Sequence, residues 1–185
     1  MPIVPDDKDW TWVVLQACRE CGFDASSMKA TEVAAGIRDN AVRWRALLEH
    51  PQVGQRPSDD RWSALEYACH VRDVYRLYDE RLARMLTEDE PLFANWDQDA
   101  AAIEERYGEQ DPATVVADIE AAGARLADHF DRVEADDWQR PGRRSDGATF
   151  TVDTFSRYLL HDPVHHVWDV EQGYAALHQL GGLST

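Results

Sequence analysis

The chain has few cysteines, no long apolar run and a shortage of positive charge. Its three cysteines, Cys18, Cys21 and Cys69, are too few and odd in number for a disulfide framework, which points to a reducing compartment. No stretch approaches the roughly 20 apolar residues that span a bilayer, and the polar start from Met1 to Asp9 does not read as a secretory leader. A cytoplasmic protein with no membrane partner is expected. Against 35 acidic residues stand only 19 basic ones, a net charge of −16. Such a surface repels phosphate backbones, so no nucleic-acid partner is expected either. Serine triads, phosphate-binding loops and dinucleotide fingerprints are also missing, which removes those enzyme classes.

What is present suits one domain across 1–185, with residues 1–30 as an extension packed on it. Apolar residues make up 44% and charged residues 29%, a globular profile and not a disordered one. Trp10 to Leu15 alternates polar and apolar character and predicts a short extended stretch. A first helix is expected from Thr31 to about His50, where Pro51 stops it, with Ile37, Ala41, Trp44 and Leu48 as its apolar stripe. A second opens on the capping-box pair Ser63 and Glu66 and runs to about Leu86. The acidic stretch from Thr87 to Gln110 holds at most a short helix, Asp99 to Tyr107, and connections this long often serve as lids or binding loops. Asp111 as N-cap and Pro112 at the first turn open a third long helix. After a turn-rich loop from Arg140 to Gly147, a fourth starts near Thr151 and reaches Glu171 or Gly173. The expected fold is all-α, an antiparallel four-helix bundle with a short non-helical N-terminal segment.

The second helix carries a histidine, His70, on an otherwise largely apolar inward stripe. The last helix carries His161 and His165, four residues apart and therefore on one face. Imidazoles suit divalent transition metals, and three protein ligands leave positions open for water or substrate. An isolated His-x-x-x-His pair is weakly specific and is often simply solvated. His166 lies one residue round the helix, a neighbour of the ligands and not one of them. Asp73, three residues after His70, and Asp162 and Asp169, which flank the other pair, are candidates to orient ligating imidazoles, although acids on helices are often plain solvated charges. Pro163, between the paired histidines, removes a backbone hydrogen bond and clashes with the Leu159 carbonyl, which favours a kink there.

The segments Trp62-Ser-Ala-Leu-Glu66-Tyr-Ala-Cys-His70-Val-Arg-Asp73 and His161-Asp-Pro-Val-His165-His166-Val-Trp-Asp169 resemble the DinB-like superfamily. The resemblance runs from about Thr31 to Val170 and is closer to the branch of thiol S-transferases and mycothiol-dependent maleylpyruvate isomerase. It implies a four-helix bundle that holds zinc or nickel through one histidine of the second helix and a paired motif on the last. By position these are His70, His161 and His165. The isomerase carries a glutamate first in that pair, so His161 looks more like the S-transferase pattern. The implied chemistry is activation of a low-molecular-weight thiol for attack on an electrophile, because a coordinated thiol is deprotonated and thiolate is the nucleophile. A homodimer is common in the family.

Trp96 in the long connection, and Arg143 and Arg144 in the last one, are candidates for substrate contacts, since guanidinium groups match carboxylates bidentately. The competing readings are an anchoring tryptophan and arginines paired with nearby acids such as Asp136, Asp137 and Asp146. Cys18-x-x-Cys21-Gly22 looks like half of a zinc knuckle, but a structural site needs four ligands. A packed N-terminal turn is the simpler reading, with a dithiol pair as another. No catalytic residue can be named. Two other functions stay open: a metal-dependent hydrolase, and a non-catalytic stress-response or binding protein whose metal only staples the bundle.

Overall fold

The computed structural model describes residues 9–182 of the chain. Long helices form where the apolar periodicity runs. α1 (Val33–Leu48) buries Ile37, Ala41, Trp44 and Leu48. α2 (Ala64–Thr87) starts at the capping box: the Ser63 hydroxyl accepts the Glu66 N–H, and the Glu66 carboxylate accepts the Ser63 N–H. The short α3 (Gln98–Glu104) is capped by Asp97. α4 (Pro112–Phe130) opens with Asp111 accepting the Thr114 N–H. α5 (Val152–Gly182) continues through Pro163 and ends well beyond Gly173.

Other boundaries differ for local reasons. Thr11–Val14 is a 3-10 turn and not an extended stretch, because the Asp9 carboxylate accepts the Thr11 N–H and Val13 turns into the core. A further 3-10 turn, Ala30–Glu32, precedes α1, and the Glu32 carboxylate accepts the Lys29 N–H. The segment expected to be a turn-rich loop is a hairpin. Strands β2 (Pro141–Arg144) and β3 (Thr149–Thr151) pair antiparallel, and β1 (Leu92–Phe93) adds to β2 in parallel. Gly142 allows the closeness this needs: a Cβ there would lie 2.9 Å from Phe93 Cε2 and 3.0 Å from Met85 Cγ. The small sheet thus ties both long connections to the end of α2.

α1, α2, α4 and α5 form the four-helix bundle. Arg38 reaches Asp128 and Arg45 reaches Glu120, so α1 and α4 run antiparallel. α2 and α5 are antiparallel as well, with Tyr78 on Phe155 and His70 on His166. The α1–α5 and α2–α4 pairs run parallel, as Asn40 to Pro163 with Tyr174 to Leu47, and Arg76 to Asp118 with His129 to Asp79, require. Parallel α2 and α4 explain the long stretch between them, which must carry the chain back along the bundle. One buried polar knot fixes α5 where it matters. The Asn40 amide donates to the Pro163 carbonyl at 2.9 Å while its oxygen accepts from Tyr75 Oη and Trp44 Nε1. No described helix is long and apolar enough to cross a membrane.

Candidate metal centre

α2 and α5 meet at His70. Its ring is almost wholly buried, stacked on Trp96 at 5.3 Å and close to Trp62 at 5.4 Å. Its Nε2 lies 3.4 Å from Asp162 Oδ1, and the same oxygen lies 3.7 Å from His166 Nε2. Two donors each about 2.0–2.1 Å from a tetrahedral ion sit about 3.4 Å apart, so these spacings fit a shared cation. His166 is already aimed, because its Nδ1 is 2.9 Å from Asp169 Oδ2, which turns Nε2 towards Asp162.

The hydrogen bonding of this group is incomplete. Among the described residues, His70 Nδ1 and Nε2 and Asp162 Oδ1 are buried without a hydrogen-bond partner, as is His161 Nε2 on the adjoining face of α5. Buried polar atoms are seldom left so, and a cation is one thing that satisfies them. Charge state agrees. Burial pushes His70 below the ordinary imidazole range, leaving the neutral form that coordinates. Burial alone would raise Asp162, but the His166 and then the His70 imidazole beside it outweigh burial and hold the carboxyl below its usual range.

The expected trio His70, His161 and His165 does not converge. The donor atoms within 4.8 Å of one another form two groups among the described residues: His70 with Asp162 and His166, and His161 with His165, Cys18 and Cys21. The reason is helical. Residues 161 and 165 share one face, 162 and 166 share the next, about a hundred degrees round, and α2 packs against the second. His166, expected beside the ligands, therefore stands among the donors. Asp162 was legible only as an acid flanking the pair, although its i, i+4 relation to His166 was open to view.

Asp169 does orient an imidazole, that of His166. Asp73 does not: it accepts from Tyr107 Oη at 2.6 Å and pairs with Arg72, buried in that network. A cleft of about 800 Å³ opens beside the centre, bounded by Trp62, Tyr67, Trp96, Tyr158 and Trp168. Trp96 and Arg144 both reach it, Arg144 held by Asp146 at 2.7 Å and by Tyr158 Oη at 3.0 Å. Arg143 does not line it. Successive side chains of β2 point to opposite faces, and Arg143 turns out to Glu90. Arg140 donates to the Met85 and Glu88 carbonyls and so closes the end of α2.

The sequence pattern of the DinB superfamily matches residues 23–170. Among solved structures, YfiT from Bacillus subtilis has the same fold, with a TM-score of 0.65, 14% identity and 91% of each chain covered. That protein is described as a probable metal-dependent hydrolase with an unusual four-helix bundle topology. No curated protein matches the chain.

Proposed function

The chain belongs to the DinB superfamily, and on that footing we propose that it is a divalent-metal-dependent enzyme whose ion is held by His70, Asp162 and His166. The observation that carries this reading is the set of buried donors without hydrogen-bond partners beside a cleft. Three protein ligands with further positions open is the arrangement of catalytic rather than structural metals. When bound, such an ion lowers the pKa of a coordinated thiol or water and so supplies a nucleophile near neutral pH.

The remaining work falls to the chain. Asp169 fixes the His166 ring by its Nδ1. Trp96 and Trp62 close over His70 and keep bulk water off it. Arg144, braced by Asp146 and Tyr158, offers donors within the same cleft. We further propose that the nucleophile is a low-molecular-weight thiol and the reaction its transfer to an electrophile. An acid followed four residues later by a histidine is the order that the resemblance implies for the thiol-dependent isomerase. Seven carboxylates and two arginines line the cleft, a balance that opposes an acidic thiol and suits a neutral, hydroxyl-rich one such as mycothiol. Zinc or nickel fits the imidazole-rich donor set.

Hydrolysis is the second reading. The same open positions serve water, and the description of YfiT points that way. A matrix of thiols and electrophiles against ester and amide substrates, run on zinc- and nickel-loaded protein, separates the two. Thiol-dependent turnover lost in Asp162→Asn establishes the transferase. Turnover of esters or amides without thiol establishes the hydrolase, and metal content unchanged by both Asp162→Asn and His166→Ala removes the centre itself.

A further inference from the structure

The second group of donors is unrelated to this chemistry. Cys18 and Cys21 belong to a tight turn in which the Cys18 N–H donates to the Phe23 carbonyl and the Gly22 N–H to the Cys18 carbonyl, both at 2.9 Å. Gly22 takes φ +76°, the left-handed region that favours glycine. The turn brings both sulfurs towards α5, where His161 and His165 wait one helical turn apart. Cys18 Sγ stands 3.7 Å from His165 Nδ1. A sulfur about 2.3 Å and a nitrogen about 2.0–2.1 Å from one tetrahedral ion lie about 3.6 Å apart.

We propose that Cys18, Cys21, His161 and His165 form a second, structural metal site that takes zinc and staples the N-terminal segment to α5. All four donor atoms lie within 4.8 Å of one another, and two thiolates with two imidazoles are a complete tetrahedral set for zinc. His161 is 4% exposed and its Nε2 has no hydrogen-bond partner among the described residues, so this buried ring carries an unsatisfied nitrogen. His165 has its other nitrogen, Nε2, 3.5 Å from Glu20 Oε2, the kind of outer carboxylate that fixes a ligating imidazole. Trp10 covers the group, its ring 5.3 Å from His161 and 5.1 Å from His165. A disulfide between the two cysteines would leave both histidines unexplained.

This site does not depend on the proposed enzymatic centre, because sulfur occurs only in its donor set. Protein purified anaerobically from zinc-supplemented cells is expected to hold two zinc ions per chain. Cys18→Ser/Cys21→Ser should lose one of them, whereas Asp162→Asn should lose the other. Zinc-edge X-ray absorption of the Asp162→Asn protein should show two sulfur and two nitrogen neighbours. Replacing zinc by cobalt should give a thiolate-to-cobalt charge-transfer band that the double-serine variant lacks. Wild-type zinc with nitrogen and oxygen neighbours alone overturns the proposal, even if the serine variant fails to fold. So does a Cys18–Cys21 disulfide in the anaerobic, zinc-grown protein.

Discussion

Asp169 lies outside both proposed donor sets and orients His166 at 2.9 Å, while the same oxygen is 3.8 Å from His165 Nε2. Asp169→Asn should leave the helix intact and lower affinity for the ion at His70 by about 10–100-fold, the usual effect of removing such a partner. Isothermal titration with zinc checks this, and unchanged affinity would mean that His166 needs no help to face inward. Asp73 tests a different link, from charge to stability. Its burial favours the neutral acid, but the hydrogen bonds from Arg72 and Tyr107 outweigh that and hold its carboxyl below the ordinary 3.8. Glu66 is likewise depressed below 4.5: burial opposes it, and Arg56 and Ser63 outweigh burial. The unfolded chain therefore binds more protons than the folded one in this range. Stability from both groups is complete above about pH 4.5 and is lost as pH falls through their lowered folded values. Denaturant titrations between pH 6 and 3 should show that loss, with a shallower slope in Asp73→Asn; an identical slope would assign the acid sensitivity elsewhere.

At the scale of elements, the register of α5 is what places two donor pairs on adjoining faces, and α1 sets that register through Asn40. Asn40→Leu removes the acceptor of Tyr75 Oη and Trp44 Nε1 as well as the donor to Pro163. Two buried donors left unsatisfied should cost about 2–6 kcal/mol, read as a lowered denaturation midpoint of metal-free protein. A loss below half of the lower figure would show that the knot is relaxed by rearrangement. Gly142 is the corresponding point for the sheet. Gly142→Val must displace Phe93 and Met85, and overpacking of this kind costs about 1–3 kcal/mol. Because β1 leads into the segment carrying Trp96, the same variant should also loosen the cover over His70, seen as greater quenching of tryptophan fluorescence by acrylamide.

Over the whole molecule the dominant quantity is charge. A net −16 on 185 residues is self-repulsive, and the ion pairs that offset it, such as Arg38 with Asp128 and Arg45 with Glu120, are partly exposed. Salt screens the repulsion over distances of about 10 Å at 0.1 M, falling to about 3 Å at 1 M. The melting temperature of metal-free protein should therefore rise with sodium chloride, a fall instead showing that these pairs outweigh the general repulsion.

The sequence by itself determined the elements and the chemistry available to them. Capping residues at Ser63 and Asp111, apolar spacing in α1 and α4, and the stop at Pro51 act within a few residues, so helices and bundle class were legible. So were the histidines as the residues worth watching, and the resemblance that gave the family. Tertiary structure alone decided which donors meet. Adjacent residues of one helix differ by about a hundred degrees, so whether α2 faces His161 and His165 or Asp162 and His166 depends on how α5 is rotated. That rotation is fixed by distant groups: Asn40 on Pro163, and the N-terminal turn lying against His165. The same holds for Cys18-x-x-Cys21, whose missing partners lie about 140 residues further along the chain, and for the hairpin that sends Arg144 into the cleft and Arg143 out of it. Local periodicity offers an i, i+4 pair on every face of a helix, and only packing selects the face that is used.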